Sequence, residues 1–349
     1  MSDGIREALV LLAEGRDLTR AQAQAAMRML MEGEATPAQI GAFLMGLRMK
    51  RETAEEIAGL AEVMRDVATR VDAGSDVVDL VGTGGDSART FNISTVSALV
   101  VAAAGGKVAK HGNRGITSGC GAADILEALG VAIDLPPGGV ARCVSETGFG
   151  FMFAPLYHPA MRHAGPVRRD LGVRTVFNIL GPLTNPARAR RQLTGVAIPG
   201  LGETLATVLG LMGSEHAMVV HSSDALDEIT IAGPTEVHET KGGQVRCYSI
   251  QPEDVGLERA PTDAIRGGSV DTNMVLVEQV LSGAKGAPRD VVLLNAGAGM
   301  YVAGLAESLQ AGVERAAESI DSGRVRAKIQ QVAEVSQRIK ASTRDEVPA

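Results

Sequence analysis

Three clusters in this chain carry residue types that could do chemistry. The first is Gly82-Thr83-Gly84-Gly85-Asp86, followed by Thr90, Asn92, Ser94 and Thr95. The second is Lys110-His111-Gly112-Asn113-Arg114, and the third is the acidic pair Asp227-Glu228. The glycines follow an apolar run, Val77 to Val81, that reads as a buried strand. They precede Val96 to Ala104, which reads as a helix. Glycines at a strand-to-helix turn let backbone N–H groups close on an anion. The helix start adds free donors and the positive end of its dipole. The hydroxyl and amide side chains supply more donors at the same place. Lys107 to Lys110 reads as the next strand, delivering a cationic end beside the cradle. The combination suits a ligand with more than one phosphate. It is not a dinucleotide fingerprint, which would need glycine where Ser87 stands, and no Lys-Ser or Lys-Thr makes it a Walker loop.

Asp227-Glu228 follows an apolar strand ending at His221-Ser222. Ligands of open α/β sheets bind at such strand ends. Two hard oxygen donors beside a phosphate site suit Mg²⁺. A solvated loop is the plainer reading of the pair alone. Arg168-Arg169 could bind a carboxylate or face water, and His111 and His158 could be ligands, bases or ordinary packing residues. No GxSxG and no HExxH is present, so a serine hydrolase or a zincin has no support.

The elements that must position these groups follow from pattern. Residues 1 to about 72 read as four amphipathic helices. Thr19 is a candidate cap, Thr36-Pro37 an opening, and Thr53 with Glu56 a capping box. Such short helices should pack on the rest of the chain or on a second subunit. From Val77 onward strands and helices alternate. Strands are expected at Val77–Val81, Lys107–Lys110, Val131–Leu135, Phe149–Phe153, Leu193–Ile198, Ala217–His221 and Val291–Asn295. Helices are expected at Ala122–Leu129, His158–Leu171, Asp271–Leu281 and Leu305–Lys340, with a hairpin around Lys241-Gly242-Gly243. The alternation implies an α/β domain with a mostly parallel sheet covered by helices.

At 349 residues the chain can hold two domains. A net charge of −7 excludes broad nucleic-acid affinity, so any cationic site is local. With only 3% aromatic residues and 42 glycines, small residues must dominate the packing. Cys120, Cys143 and Cys247 form no CxxC pair, which argues against a disulfide framework or a zinc motif. No signal-like start and no run of about 20 apolar residues is seen, and a reducing cytoplasm fits.

Taken together, Gly82-Thr-Gly-Gly-Asp86, Asn92-Ile-Ser-Thr95, Lys110-His-Gly-Asn-Arg114, Arg168-Arg169-Asp170-Leu-Gly172, Arg174-Thr-Val-Phe-Asn178, Gly181-Pro-Leu-Thr-Asn-Pro186 and Asp227-Glu228 resemble the anthranilate phosphoribosyltransferase family, essentially end to end. The resemblance implies a step of tryptophan synthesis that joins anthranilate to 5-phosphoribosyl-1-diphosphate and releases diphosphate. It implies a helical domain over residues 1–72, completed by a segment near 160–190, and a nucleoside phosphorylase/phosphoribosyltransferase-like α/β domain over 73–349. It also implies a homodimer through the helical domain.

Residue by residue, the resemblance puts phosphoribosyl diphosphate on Gly82, Gly85, Asp86, Thr90, Asn92, Ile93, Ser94, Thr95, Lys110, His111, Gly112, Asn113, Arg114, Gly115, Ile116, Thr117, Ser118 and Ala122. Anthranilate falls to Gly82, Asn113 and Arg168, with His111 and His158 along its path. Mg²⁺, two ions with substrate bound, falls to Ser94, Asp227 and Glu228. No acid or base is assigned. The chain departs from the family at Gly119 and Ala122, where many members carry a lysine and a hydroxyl, so phosphate contacts there would be weaker or backbone-only. The rival readings are a pyrimidine nucleoside phosphorylase and a non-catalytic nucleic-acid-binding relative of the same fold.

Overall fold

The computed structural model describes residues 4–86, 88–115 and 119–345. It opens with four helices, α1 (Gly4–Ala13), α2 (Arg20–Glu32), α3 (Pro37–Lys50) and α4 (Ala54–Val67). Sequence sets their starts. Thr19 with Gln22, Thr36 with Gln39, and Thr53 with Glu56 each form a capping box. Pro37 occupies a first-turn position, where its missing N–H costs nothing. Glu56 is fully buried; it accepts hydrogen bonds from the Leu18 and Thr53 N–H groups and from Lys50 Nζ. That carboxylate ties three separate segments of the helical layer together.

The remainder is β1 (Val78–Gly82), α5 (Ile93–Ala103), β2 (Val108–Gly112), α6 (Ala122–Ala128), α7 (Pro137–Thr147), β3 (Phe149–Phe153), α8 (Ala154–Tyr157), α9 (Met161–Leu171), α10 (Phe177–Leu180), β4 (Arg191–Gly195), α11 (Gly202–Leu211), β5 (His216–Ser222), β6 (Thr235–Lys241), β7 (Gln244–Ile250), α12 (Val270–Leu281), α13 (Ala287–Ala303), α14 (Leu309–Asp321) and α15 (Arg324–Asp345). The sheet runs β3-β2-β1-β4-β5-β6-β7. Its first five members pair in parallel, and β6 and β7 add an antiparallel edge. Strand order reverses between β1 and β4, whose last residues Gly82 and Gly195 are register partners. A ligand crevice opens at the carboxyl ends of strands at such a reversal.

Two of the expected strands are not strands. Val291–Asn295 lies inside α13, which is buried along most of its length. An apolar run buried on all sides has no periodicity, so only its length separates helix from strand. Val131–Leu135 is buried but joins no ladder. The Ala132 N–H donates to Ser336 Oγ at 3.0 Å, and the Leu135 carbonyl accepts from Tyr157 Oη at 2.6 Å, so side chains satisfy this backbone.

Two apolar cores result. One lies around α5, α13, α14 and α15 on the sheet. The other joins the four N-terminal helices to α9, α10, α11 and one face of β5, with Phe43, Leu44, Leu47, Leu60, Phe177, Leu205 and Val219 among its members. The N-terminal helices thus cover their apolar faces on later parts of the same chain. No helix among the described residues is long and apolar enough to cross a membrane.

Candidate active site

The site is built from strand ends. After β5 the chain turns so that Asp227 and Glu228 lie against the glycine loop and the start of α5. Asp227 Oδ2 accepts from the Gly84 N–H at 2.6 Å, and Glu228 Oε1 accepts from the Ser94 N–H at 3.1 Å. This approach needs glycine on both neighbouring strands. A Cβ at Gly82 would lie 2.2 Å from Asp227 Oδ2, and one at Gly195 would lie 1.5 Å from the Asp227 carbonyl oxygen. Below them Lys110 is buried, its Nζ donating to the Leu80 carbonyl and to Ser94 Oγ. Asp79 is buried beside it, accepting from Asn185 Nδ2 at 2.7 Å and from the His111 N–H at 3.3 Å.

Burial and mutual charge govern the electrostatics. Crowding by protein pushes Asp227 and Glu228 above ordinary carboxylate values; Asp86 adds to the effect on Asp227, and Asp227 to that on Glu228. Burial raises Asp79 to about 6 and lowers Lys110, against the pull of Asp79, Glu228 and Asp227. Three acids around one buried cation leave local negative charge uncompensated. Hard oxygen donors in that state fit a divalent ion such as Mg²⁺.

On β2 the next residues reach the same end of the sheet. The His111 and His158 rings pack at 5.0 Å between centroids. Burial pushes His111 down to about 3, with His158 adding to it, and His158 down to about 4. Each is neutral at pH 7. Hydrogen bonding with the Gly181 and Thr184 backbones engages the two rings, and each Nε2 is buried without a partner among the described residues. Two unsatisfied nitrogens side by side form a polar lining in an apolar wall.

The loop after β2 is closed by Asp124, whose Oδ2 accepts from the Gly115 and Gly121 N–H groups at 3.0 and 2.8 Å. Arg114 turns onto Asp124 and Glu127 at 2.7 and 2.5 Å, so its charge is already compensated. Asn113 Oδ1 accepts from the Arg114 N–H. Ile116, Thr117 and Ser118 lie outside the described residues. At Gly119 a Cβ would meet the Gly268 carbonyl oxygen at 2.6 Å, so the backbone fills the space that a lysine stem would need. Ala122 opens α6 beside Gly112. Asn92 is held by Cys120 and by Asn273 Nδ2, 2.8 Å from its Oδ1. Thr90 bridges to Arg266. Thr95 and Ile93 are buried on α5, and the Ile93 N–H donates to the Phe91 carbonyl at 2.7 Å.

Arg168, in the last turn of α9, stands apart from this bonded network. Its guanidinium stacks on Phe177 at 5.0 Å and has no hydrogen-bond or ion-pair partner among the described residues. Burial lowers its pKa. A half-buried cation without an anion is costly, and it is poised to take one. Sequence reasoning gave no role to Asp79, Asp124 or Asn273, and read Arg174 and Asn185 only as parts of motifs that carry the family resemblance. Arg174 donates to the Gly85 carbonyl and so fixes the glycine loop from the α9–α10 side. Asp79 had a signal, as a charged residue inside an apolar strand.

Chain-wide comparisons agree with this geometry. Residues 74–326 match the family model described as "Glycosyl transferase family, a/b domain", and residues 6–68 match "Glycosyl transferase family, helical bundle domain". Anthranilate phosphoribosyltransferase of Symbiobacterium thermophilum is 55% identical over 333 residues, 95% of this chain and 98% of the relative. The chain belongs to the anthranilate phosphoribosyltransferase family. The Chloroflexus aurantiacus member is 56% identical over 334 residues, again 95% of this chain and 98% of the relative. Among solved members, the Thermus thermophilus structure superposes with a TM-score of 0.90 at 42% identity, covering 96% of this chain and 99% of that one. The Saccharomyces cerevisiae member in complex with PRPP and Mg superposes at 0.87 with 25% identity, covering 97% and 99%. Membership decides against the nucleoside phosphorylase and the nucleic-acid-binding relative.

Proposed function

We propose that the protein transfers the phosphoribosyl group of 5-phosphoribosyl-1-diphosphate (PRPP) to the amine of anthranilate, releasing diphosphate in tryptophan synthesis. The observation that carries this reading is the meeting of Asp227, Glu228, Ser94 and buried Lys110 at the glycine loop. PRPP lies along the Gly82–Asp86 loop and the α5 start, with the loop after β2 over its phosphates. Ser94, Asp227 and Glu228 hold Mg²⁺, two ions with substrate bound. When bound, Mg²⁺ neutralises charge on the departing diphosphate. Lys110 adds a fixed positive charge at the same end of the sheet, preorganised by its bonds to Leu80 and Ser94.

Anthranilate binds with its carboxylate on Arg168 and its ring near Gly82 and Asn113, along the path of His111 and His158. Its aromatic amine is neutral and already nucleophilic at pH 7. The chain's task is to align it with ribose C1 rather than to deprotonate it. Neutral His111 and His158 suit this, because neither can protonate the amine. The helical domain, residues 1–72 with the segment near 160–190, serves as the anthranilate side of the cleft and as a homodimer surface. The free cysteines accord with a cytoplasmic setting. Mixing protein with anthranilate, PRPP and Mg²⁺ should consume anthranilate fluorescence with release of diphosphate. Phosphate-dependent nucleoside cleavage without that reaction would overturn the reading.

A further inference from the structure

The β6–β7 hairpin carries a side-chain cluster that phosphoribosyl transfer does not use. Glu236 and His238 alternate onto one face of β6, and Cys247 of β7 is the register partner of His238. Cross-strand partners share a face, so carboxylate, imidazole and thiol converge. Their donor atoms lie within 4.8 Å of one another. His238 Nε2 is 3.0 Å from Glu236 Oε1, and Cys247 Sγ is 3.9 Å from the same oxygen. A tetrahedral zinc ion with bonds of about 2.0–2.3 Å needs ligand atoms about 3.3–3.8 Å apart. The two separations bracket that range, and side-chain rotation closes the difference.

The surroundings prepare the site. α11 covers this face and begins at Gly202, where a Cβ would lie 2.2 Å from His238 Cδ2. Glycine there leaves room for the ring. His238 is buried and fixed, whereas Glu236 and Cys247 are exposed, so an ion can enter from solvent onto an already placed imidazole. His238 Nε2 faces the Glu236 carboxylate at 3.0 Å and so carries the ring proton when no ion is bound; an ion that takes the Nε2 lone pair shifts that proton to Nδ1, which is buried with no partner among the described residues. Glu203, in the first turn of α11, adds negative charge near the Cys247 thiol, and water can complete the shell.

We propose that Glu236, His238 and Cys247 form a binding site for a zinc-type divalent ion, sharing no residue with the oxygen-donor set of Asp227 and Glu228. Thiolate and imidazole favour such an ion over Mg²⁺. Binding releases the thiol proton to solvent and ties the edge strand β7 to β6. The test uses the full chain with excess Mg²⁺ present. Cys120 and Cys143 are buried and Cys247 is exposed, so a disulfide reagent reports Cys247 first. Equimolar Zn²⁺ should slow that reaction about tenfold or more, and Co²⁺ should give a thiolate-to-metal charge-transfer band. In Cys247→Ser the band should vanish while phosphoribosyl transfer is unchanged. Glu236→Gln and His238→Gln should weaken Zn²⁺ protection roughly 10- to 100-fold. Glu236 and Cys247 are exposed, so their variants fold even if His238→Gln does not. An unprotected wild-type thiol, or equal protection in Glu236→Gln, overturns the assignment.

Discussion

Gly82→Ala adds a single methyl group where the Asp227 carboxylate meets the glycine loop. The added Cβ would lie 2.2 Å from Asp227 Oδ2, 2.8 Å from its Cγ and 3.2 Å from its carbonyl oxygen. Ordinary contact begins near 3.4 Å, so the carboxylate must retreat by about 1 Å. Gly82 closes β1 in register with Gly195, so the strand cannot yield in its place. Retreat stretches the bond to the Gly84 N–H, a charge-assisted contact worth ~1.5–3 kcal/mol. A displacement of about 1 Å in a positioning group costs roughly 100-fold in rate, equivalent to about 2.7 kcal/mol. The expectation is a ~100-fold lower kcat/KM for PRPP, with circular dichroism unchanged. The decisive assay is a double-mutant cycle with Asp227→Ala. If Gly82 acts by leaving room for that carboxylate, Gly82→Ala should be nearly silent once Asp227 is gone. Two losses that multiply, or a single variant within threefold of wild type, would refute the reasoning.

Arg168→Ala should raise the KM for anthranilate ~10- to 150-fold and leave that for PRPP nearly unchanged, because a guanidinium–carboxylate pair is worth ~1.5–3 kcal/mol; equal rises in steady-state titrations of both substrates would reject it. Glu228→Ala should lower turnover strongly, with partial recovery at high Mg²⁺, and wild-type kinetics across a Mg²⁺ series would remove the residue from the metal site. Burial alone would raise Glu239, but hydrogen bonds from His216, Tyr301 and Tyr248 outweigh it and bring its pKa from 4.5 to about 2. A depressed carboxylate stabilises the fold fully above its unfolded value and loses that contribution as pH falls toward 2. Denaturant titrations at pH 6 and pH 3 should show about 2 kcal/mol more loss in wild type than in Glu239→Gln, and parallel losses would count against the pairing.

The linear parts of this site were legible in sequence because each lies within one strand end or one turn. The Gly82 loop, the Lys110 strand and the Asp227-Glu228 pair could be placed from apolar runs and glycine spacing. Thr53 with Glu56 was legible as a capping box for the same local reason. What stayed hidden depends on partners far apart in the chain. Asp79 and Asn185, or Asn92 and Asn273, meet only when the sheet has formed. Val291–Asn295 was misread because α13 is enclosed on all sides and shows no polar face to betray its period. Val131–Leu135 was misread because burial and an apolar run do not require a ladder when Ser336 and Tyr157 satisfy the backbone.

The core that unites α1–α4 with α9, α10 and α11 also has a consequence for biosynthesis. The ribosome delivers the first four helices early, but Phe177, Leu180, Leu205 and Val219 complete their apolar layer only much later. From Val67 to Val219 about 150 residues must be added, which takes about 8–30 s at roughly 5–20 residues per second. During that interval Phe43, Leu44 and Leu60 lack their final cover. The nascent chain is then at its most adhesive, and holding factors that bind exposed apolar segments have their longest opportunity before release of residue 219 lets the layer close.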